Sequence, residues 1–374
     1  MRIAIIVATF PPNYCGVGDY TFNLARELSR DAEVTVLTTD QGELDAPWLE
    51  VRRAFDGQRP QTLLRVLGDL EELQPDYCII QYDPYSYGAR YSFNPFLPAL
   101  AGLIRARLRH TRLAAVIHET FAAPDNARRA LMSAWQRAQL FALGRSCHLL
   151  VFVIEAWARR FARWFPGAKV VHVPVGNNIP AVPGDRDALR AKLDISPDRL
   201  VLGWFGRAQP TRRVDLVLEA VRGAERAGVS PCVLHVGVGA DSAREGLAGV
   251  DARITGLLSP ADVSRHLAAM DVYLAPIADG VSTRNTSMVS ALAHGLPVIG
   301  TLGEATDSVL REQHAKALLL VDIARGESFA EPAAALASSP ARRAELGAGA
   351  AAFASSTFGW DVIGTQIREA LESR

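Results

Sequence analysis

Short apolar runs alternate along the chain with longer stretches in which apolar residues recur every three or four positions. The runs are typical of strands buried on both faces, and the longer stretches are typical of amphipathic helices. The run at residues 3–8 and the helical stretch at residues 127–141 are examples. Strand followed by helix, many times over, predicts parallel sheets that are covered by helices on both faces.

A segment rich in proline and glycine, at residues 174–184, divides the predicted strands into two sets. The first set comprises residues 3–8, 33–38, 77–81, 113–118, 149–153 and 170–173. The second set comprises residues 200–205, 232–236, 252–255, 272–275, 297–299 and 317–321. We therefore predict an α/β protein with Rossmann-like domains at residues 1–185 and 190–355, followed by a helix at residues 356–374.

Composition narrows the class of protein. The 374 residues exceed one ordinary domain, since a domain averages about 150 residues. Lysine plus arginine and aspartate plus glutamate both total 40, so no overall charge steers the chain toward nucleic acid. The cysteines, Cys15, Cys78, Cys147 and Cys232, form no Cys-x-x-Cys pair, which predicts neither zinc nor disulfides and favours the cytoplasm. No apolar run reaches the roughly 18 residues of a membrane-spanning helix, and the N-terminal run is interpreted as a strand rather than a signal peptide.

The segment from Asp279 to Thr301 suggests chemistry most directly. An acid, a glycine and small hydroxyl residues lead into a helix that ends at His294-Gly295, and an apolar strand follows. A loop at the start of a helix offers backbone N–H groups and a positive dipole end to an anion. Asp279 can accept hydrogen bonds from sugar hydroxyls, so the segment predicts a site for a phosphate-linked sugar.

Several motifs, in this order and spacing, resemble glycosyltransferase family 4 over nearly the whole chain. They are Gly16-Val-Gly18, Phe205-Gly-Arg207, Gly237-Val-Gly239, Thr255-Gly256 and the run from Ala291 to Val298. The resemblance implies the GT-B architecture, in which two Rossmann-like domains face each other across a cleft. It also implies that the helix at residues 356–374 crosses back to the first domain. It also implies transfer of a hexose from a nucleotide-diphosphate sugar to a saccharide or lipid-linked acceptor, in polysaccharide or glycolipid assembly, with retention of the anomeric configuration.

The same resemblance implies that the enzyme needs no metal and no cofactor, since the nucleotide sugar is a substrate. It implies that the first domain binds the acceptor and the second binds the donor. The leaving phosphate would take the acceptor's proton in a front-face substitution, inside a positively charged cradle.

The site residues that we predict fall into three groups. Catalytic roles are predicted for His118, Arg207, Arg212 and Asp279. Donor-binding roles are predicted for Gly16, Gly18, Gly256, Leu257, Gly280, Val281, Ser282, Thr283, Arg284 and Ser290. Acceptor binding is predicted for Tyr85, Tyr87 and Glu119.

Physical reasons support several of these roles. The planar forks of Arg207 and Arg212 suit a diphosphate. A neutral imidazole at His118 can hydrogen-bond a sugar hydroxyl, often the C6 hydroxyl in the family, without adding charge. Amides near Val281 and Ser282 would hold phosphate.

Each motif also has a plain structural interpretation. The arginines could belong to a solvated loop, and the glycines could form a tight turn. His118 could be a hydrogen-bonded residue of the core. The 279–285 loop suits a helix start without a ligand, and the tyrosine-rich segment 81–91 an aromatic loop. Residues 157–165 are basic and aromatic at helical spacing, which suits a core-packing helix or, as an alternative, contact with an anionic membrane.

The chain departs from the family pattern at two places. The second of two family glutamates, which usually holds the ribose, falls on Ser290, and the usual Lys-Gly reads Arg212-Arg213. Two other functions therefore stay open. One is a nucleotide-sugar epimerase of the same fold, and the other is a sugar-nucleotide binding protein without catalysis.

Overall fold

The computed structural model describes residues 1–13, 15–39, 44–88, 93–209 and 211–373. The chain divides into two compact units. The first comprises Met1–Pro174 and Trp360–Arg374, and the second comprises Val175–Gly359. The predicted α/β class, with two Rossmann-like halves, is confirmed.

The first unit contains a sheet with seven strands among the described residues. The strands are β1 (Arg2–Ile6), β2 (Glu33–Thr39), β3 (Glu50–Phe55), β4 (Tyr77–Tyr82), β5 (Arg112–Ile117), β6 (Leu149–Phe152) and β7 (Lys169–His172). The helices are α1 (Gly16–Leu28), α2 (Val66–Leu73), α3 (Phe96–Arg107), α4 (Ala127–Ser146) and α5 (Glu155–Ala162), with a 3-10 helix at Pro60–Arg65. The sheet order is β3-β2-β1-β4-β5-β6-β7 and the pairings are parallel.

The second unit contains a parallel sheet, again counted over the described residues, of six strands. The strands are β8 (Leu200–Phe205), β9 (Pro231–Val236), β10 (Ala252–Ile254), β11 (Val272–Ala275), β12 (Val298–Thr301) and β13 (Leu318–Val321). The helices are α6 (Arg186–Lys192), α7 (Val214–Arg226), α8 (Ala240–Gly246), α9 (Pro260–Ala268), α10 (Thr286–Ala293), α11 (Ser308–Glu312), α12 (Ala330–Ser338) and α13 (Pro340–Phe358), with a 3-10 turn at Ile323–Arg325. The sheet order is β10-β9-β8-β11-β12-β13.

The last helix, α14 (Trp360–Glu372), belongs to the first unit. Its Trp360 ring meets the ring of Tyr20 on α1 with a centroid separation of 5.1 Å. Gly364 allows close approach, since a Cβ there would lie 2.8 Å from the Cβ of Glu27. The C-terminal segment is therefore a structural part of the first unit rather than an independent tail.

The boundary between the units lies earlier than the sequence suggested. We predicted that the first domain extends to residue 185, whereas residues from Val175 onward belong to the second unit. The amide of Val175 donates to the carbonyl of Thr283 at 3.1 Å, and the amide of Asn177 donates to the carbonyl of Phe358 at 3.0 Å. These hydrogen bonds join the proline-rich segment to the second unit, a tertiary effect that local composition does not reveal.

The strand order indicates where each sheet can bind a ligand. In each sheet the chain order runs outward in both directions from one pair of neighbouring strands. This pair is β1 and β4 in the first sheet and β8 and β11 in the second. Parallel sheets of this kind bind ligands in the crevice outside the carboxyl ends of such a strand pair. The loops after these strands are therefore the places to look for a site in each unit.

Strand β3 is the element that the sequence analysis missed. It lies at the edge of its sheet and only its last residue, Phe55, is buried. Because its other side chains are exposed or half-buried, it lacks the continuous apolar run by which the interior strands were identified.

Candidate active site

Arg212 lies at the strand pair β8/β11 of the second unit. Its backbone forms an isolated antiparallel bridge with Ile277, and the amide of Arg213 donates to the carbonyl of Pro276 at 2.8 Å. The loop after β8 is thus joined to the loop after β11. Arg212 Nη2 donates to Ser287 Oγ, on the first turn of α10, at 3.3 Å.

The Arg212 guanidinium is largely shielded from water by the surrounding protein. Its Nη1 atom is buried and has no hydrogen-bond partner within the part of the chain that the structure describes. Burial lowers the pKa of Arg212, the Tyr273 hydroxyl opposes this, and the cation of Arg284 lowers the pKa further. A guanidinium shielded from water, near a second cation and beside a helix start, favours the binding of an anion.

Arg207 follows the same strand but is exposed, and it makes no hydrogen bond or ion pair with any described residue. The turn before it needs glycine, because Gly206 has φ of +124° and a Cβ on Gly237 would lie 2.5 Å from the Gly206 carbonyl oxygen. The structure thus leaves Arg207 available to a ligand and explains the glycine of the adjacent motif by close backbone packing.

The amides of the 280–283 loop have acceptors already, which corrects the expectation that they are open to phosphate. Gly280 and Val281 donate to the carbonyls of Ile277 and Thr301 at 3.1 and 2.9 Å. Ser282 donates to Asn285 Oδ1 at 2.6 Å, and Thr283 donates to Asp307 Oδ2 at 2.6 Å. Val281, Ser282 and Thr283 are also buried. These residues build the loop, and the arginines stay the predicted anion-binding groups of this unit.

Asp279, at the tip of that loop, is exposed, and its carbonyl accepts from the amide of Ala305 at 3.1 Å. Gly280 has φ of +91°, and a Cβ there would lie 2.5 Å from the backbone nitrogen of Gly303. The loops after β11 and β12 are therefore in tight contact, which fixes the position from which the Asp279 carboxylate projects.

Three predicted donor residues have different surroundings. Ser290 is buried, and its hydroxyl donates to Asn177 Oδ1 at 3.0 Å and lies 2.8 Å from the carbonyl of Thr286. It stabilises the linker segment and does not reach a ligand. Leu257, in contrast, is 61% exposed just after β10, beside half-buried Gly256, and offers an apolar surface at the same edge of the sheet.

In the first unit, the loop after β1 leads into α1. A Cβ on Gly18 would lie 2.6 Å from the Thr9 carbonyl oxygen, so Gly18 is required for packing of the helix start on the loop. Gly16 is exposed, with open space where a Cβ would be. The steric argument therefore applies to Gly18, and the predicted role of Gly16 in donor binding stays a prediction.

His118 follows β5 and is 8% exposed. Its Nε2 atom lies 2.7 Å from Gln81 Oε1, and its ring meets the edge of the Tyr20 ring with a centroid separation of 4.7 Å. The position after an interior strand, at the binding edge of the sheet, is the one that the sequence predicted.

The predicted acceptor residues differ in exposure. Tyr87 is buried, with its hydroxyl 3.0 Å from the carbonyl of Ile6 and 2.9 Å from that of Gln81, so it stabilises the sheet rather than contacting an acceptor. Tyr85 is 47% exposed, and its electrostatic neighbours include Glu119. The acceptor roles of Tyr85 and half-buried Glu119 stay predictions, and the remainder of the tyrosine-rich segment, from residue 89, lies outside the described residues.

Sequence reasoning missed several residues that shape the sites. Ser287 and Tyr273 contact or neighbour Arg212, and Asp307 accepts both the amide and the hydroxyl of Thr283. Gln81 contacts His118. Parallel α/β sheets bind ligands near the carboxyl ends of their strands. Tyr273 in β11, Gln81 at the end of β4 and Asp307 after β12 lie in such regions. Their residue types alone did not indicate a role.

Within the described ranges, no group of three or more His, Cys, Asp or Glu side chains could hold a metal ion. No helix among the same residues is both long and apolar enough to cross a membrane.

Comparison with known proteins shows what kind of domains these are. Residues 14–179 match the model of Glycosyltransferase Family 4, and residues 199–339 match the model of Glycosyl transferases group 1. The chain comprises two glycosyltransferase domains. Both families are transferases, and the chain is assigned to that class of enzyme.

Two curated relatives are similar to parts of the chain. The GDP-mannose-dependent monoacylated alpha-(1-6)-phosphatidylinositol monomannoside mannosyltransferase of Corynebacterium glutamicum is 27% identical over 252 residues, 63% of this chain and 65% of that protein. The D-inositol 3-phosphate glycosyltransferase of Rhodococcus opacus is 36% identical over 200 residues, 48% of this chain and 42% of that protein. The chain thus spans less than two thirds of the length of either.

Solved structures match the whole chain in fold. Sucrose-phosphate synthase from Thermosynechococcus elongatus has a TM-score of 0.75 at 15% identity, over 98% of this chain and 97% of its own. The Anabaena protein HepE, solved with UDP and glucose, has a TM-score of 0.69 at 18% identity, over 100% of both chains. At such identities the likeness concerns the fold, and the fold is GT-B.

Proposed function

We propose that this enzyme transfers a hexose from a nucleotide-diphosphate sugar to a saccharide or lipid-linked acceptor, with retention at the anomeric carbon and without a metal. The observation that supports this most is the buried Arg212 guanidinium, whose Nη1 lacks a partner among the described residues and which has Arg284 as a neighbouring cation. A guanidinium shielded from water at the carboxyl ends of the central strands, with another cation near it, favours an anionic ligand.

A diphosphate suits this position. Arg212 and Arg284 would bind its oxygens, and exposed Arg207 would add a third cation from the same loop as Arg212. As the bond from the anomeric carbon to the phosphate breaks, negative charge grows on the leaving group. Cations fixed in a poorly hydrated site stabilise that charge more than they stabilise the bound substrate, which is what lowers the barrier.

Retention follows in the front-face substitution that we propose. The bond between the anomeric carbon and the phosphate oxygen breaks, and the acceptor oxygen bonds to the same face of the sugar. The acceptor's proton passes to the departing phosphate oxygen, so no further base is needed. Asp279, in the second unit that would bind the donor, would bind the sugar's hydroxyls. His118 keeps its predicted catalytic role in the first unit, which would bind the acceptor.

The names of similar proteins support a hexose nucleotide as the donor. The Corynebacterium relative is GDP-mannose-dependent, and the Anabaena structure contains UDP and glucose. Exposed Leu257, with its neighbour Gly256, would contact the nucleotide's base or ribose. Ser290 is buried and does not replace the acid that binds the ribose in the family. We therefore propose that backbone groups after β10 bind the ribose.

Calorimetry tests the donor site first. Purified protein would be titrated with UDP-, GDP-, ADP- and TDP-sugars in the presence of EDTA, and the product of any transfer would be analysed by NMR for its anomeric configuration. Selective, EDTA-resistant binding followed by α-to-α transfer supports the proposal. Epimerised donor without acceptor would favour the epimerase alternative, and tight binding without turnover would favour a binding protein.

We also propose that one face of the first unit contacts an anionic membrane surface. Helix α4 exposes Leu131 (76%) and Phe141 (41%), and Phe93 beside it is 56% exposed. Phe93, Leu131 and Trp135 line a groove of about 460 Å³ together with Arg128 and Met132. Large apolar side chains exposed together mark an interaction surface.

Two arginines at this face, Arg128 in the groove and Arg145 beside Phe141, and the basic sequence around them favour an anionic membrane as the partner. Between residues 93 and 165 the sequence contains eleven arginines and three acidic residues, in a chain whose net charge is zero. Arg145 lies over the ring of Phe141, with 5.6 Å between the guanidinium carbon and the ring centroid. Arginines beside exposed apolar groups bind anionic lipid headgroups while the apolar groups enter the interface.

Vesicle sedimentation tests this surface. The protein should sediment with phosphatidylglycerol vesicles and much less with phosphatidylcholine vesicles, and Leu131→Glu should weaken the binding. Leu257→Glu, a matched change of an exposed leucine in the second unit, should leave sedimentation unchanged. Equal sedimentation of the wild type and Leu131→Glu would contradict the proposal.

A further inference from the structure

The turn at the end of β8 is held on both sides by buried side chains of the neighbouring strands. In the second sheet, β8 lies between β9 and β11. The Tyr273 hydroxyl on β11 donates to the carbonyl of Phe205 at 3.1 Å, and both residues belong to the second unit. On the other side, Nε2 of His235 on β9 lies 3.1 Å from the carbonyl oxygen of Gly206. Tyr273 and His235 are both 0% exposed, so two consecutive carbonyls of the turn contact buried side chains.

The contact with Gly206 determines which imidazole nitrogen of His235 carries the proton. A carbonyl oxygen can only accept a hydrogen bond, so Nε2 is the protonated nitrogen. Nδ1 is buried and has no hydrogen-bond partner among the described residues. Burial lowers the pKa of His235, and the hydrogen bond to Gly206 opposes this. The ring is therefore neutral at pH 7, with Nε2–H as the donor.

Gly206 is the residue of this turn whose backbone most needs to be fixed. Its φ of +124° lies in a region that only glycine adopts readily, and glycine has the greatest conformational freedom of all residues. Its amide donates to the carbonyl of Val236 at 2.9 Å, which fixes one side of the residue. The hydrogen bond from His235 fixes the other side, the peptide that leads into Arg207.

The guanidinium of Arg212 packs against the same turn. A Cβ on Gly206 would lie 3.5 Å from Arg212 Nη2, the nitrogen that also donates to Ser287 Oγ. Arg207 directly follows Gly206 in the chain. A rotation of the Gly206 peptide would therefore displace both arginines that we predict to bind an anion.

We propose that His235 is a positioning residue for the anion site of the second unit, because its Nε2–H group donates to the Gly206 carbonyl and so holds the turn that places Arg207 and Arg212. The part that these arginines play toward a diphosphate rests on the proposed function. The hydrogen bond itself does not rest on that function, and it can be measured on the protein without a ligand.

A matched pair of variants isolates the hydrogen-bond donor. His235→Gln keeps a side-chain N–H group, and His235→Met has an unbranched side chain of similar length without a donor. The first measurement is hydrogen exchange of the Gly206 amide, followed by NMR on the full-length protein. We expect similar exchange in the wild type and His235→Gln. In His235→Met we expect exchange roughly three- to ten-fold faster, the effect of one net hydrogen bond.

Nitrogen NMR of ¹⁵N-histidine-labelled wild type then identifies the protonated nitrogen. The His235 signals are assigned by their loss in His235→Gln, and we expect the proton on Nε2. A wild type with the proton on Nδ1, or equal exchange of the Gly206 amide in the wild type and His235→Met, would overturn the inference.

Calorimetry measures the effect on the site. The probes are inorganic pyrophosphate, GDP and UDP, each titrated in the presence of EDTA. For the probes that the wild type binds, Kd should be roughly three- to ten-fold higher in His235→Met, and His235→Gln should recover most of the affinity. The recovery separates a positioning role from a general loss of stability, since both variants replace the same buried ring.

His266→Met is the matched control. His266 lies on α9 of the same unit, is 9% exposed, and has its Nδ1 atom 2.7 Å from the carbonyl oxygen of Asp262. This variant removes a histidine that contacts a backbone carbonyl elsewhere, so Gly206 exchange and probe affinity should equal those of the wild type.

The two measurements separate the inference from the proposed function. Faster Gly206 exchange in His235→Met with an unchanged Kd would overturn the positioning role and keep the proposed diphosphate site. A folded wild type that binds none of the probes would overturn the proposed site and the positioning role together. The hydrogen bond between His235 and Gly206 would still be supported in that case by the difference in exchange.

Discussion

The guanidinium of Arg212 donates a hydrogen bond to the hydroxyl of Ser287 at 3.3 Å, which joins the loop after β8 to the first turn of α10. The two residues are 75 positions apart in the sequence. Their contact places a cation at the start of a helix, where the helix dipole also favours an anion. The Ser287 hydroxyl thus orients the arginine, while the buried Nη1 has no hydrogen-bond partner among the described residues.

Replacing Arg212 should weaken the binding of a nucleotide diphosphate. Arg212→Ala removes a charge-assisted bidentate contact worth about 1.5–3 kcal/mol, so calorimetry should show a Kd roughly 10- to 100-fold higher. Arg213→Ala is the control, since Arg213 is half exposed and pairs with Asp215. Equal donor affinity in wild type and Arg212→Ala would remove the diphosphate assignment.

Asp279 should affect the sugar and not the nucleotide. Asp279→Ala should lower the affinity for the nucleotide sugar roughly ten-fold, because hydrogen bonds to a charged group contribute about 1.5–3 kcal/mol, while the affinity for free nucleoside diphosphate changes little. The comparison of the two ligands by calorimetry is the measurement. Asp241→Ala, at an exposed position on α8, serves as the control. A parallel loss of both ligands would place Asp279 at the phosphates instead.

Gly280 should be a stability determinant of the loop. In Gly280→Ala the new Cβ would meet the Gly303 nitrogen at 2.5 Å in a backbone with φ of +91°, so both strain and overlap destabilise the fold. We expect about 2–5 kcal/mol, from about 1–2 for the left-handed backbone and about 1–3 for overpacking. Gly249→Ala separates backbone strain from steric overlap, since Gly249 has φ of +81° and no atom lies within 4 Å of its Cβ position. Urea unfolding should show a smaller loss there, and an equal loss in both variants would contradict the steric argument.

Asp19, on the first turn of α1, should make stability depend on pH. Burial raises the pKa of Asp19 from 3.8 to about 6. The folded state therefore binds the proton more tightly than the unfolded state, and its stability falls as the pH rises from about 4 to about 6. Asp19→Asn removes this ionisation, so its stability relative to the wild type should increase across that window by about 1–2 kcal/mol, allowing for partial exposure.

Unfolding of wild type and Asp19→Asn at pH 4.5 and pH 7.5 measures the effect. Asp215→Asn is the control, because a hydrogen bond from Arg213 lowers the pKa of Asp215 below its ordinary value of 3.8. Asp215 is therefore ionised at both pH values, and the difference between Asp215→Asn and the wild type should be the same at pH 4.5 and at pH 7.5. A constant difference between Asp19→Asn and the wild type at both pH values would show that Asp19 titrates normally in the fold.

The sequence predicted the strands of both sheets among the described residues, with the exception of the edge strand β3. A strand such as β8 is buried on both faces, so its apolar run is visible in the sequence by itself, whereas edge strand β3 has no such run. The site was predicted in the same way. Positions after interior strands, such as His118 and Arg212, could be named because parallel sheets bind at those ends.

The roles of individual atoms needed the structure. Val281 and Ser282 were predicted to offer amides to phosphate, but Thr301 and Asn285 accept from them. Tyr87 was predicted to meet an acceptor, but it is buried against backbone carbonyls. A residue's type shows what it can bind, and only its neighbours show what it does bind.

By itself, the sequence determined the two α/β halves, the glycosyltransferase resemblance and the strand ends at which ligands would bind, because these follow from local hydrophobic patterns and short motifs. The tertiary structure decided that Arg212 meets Ser287, that Gln81 meets His118, and that the linker from Val175 joins the second unit. Those contacts join residues far apart in the chain, and their energies depend on distance, burial and the competition among hydrogen-bond partners. These quantities are set by packing and are not encoded in any single segment.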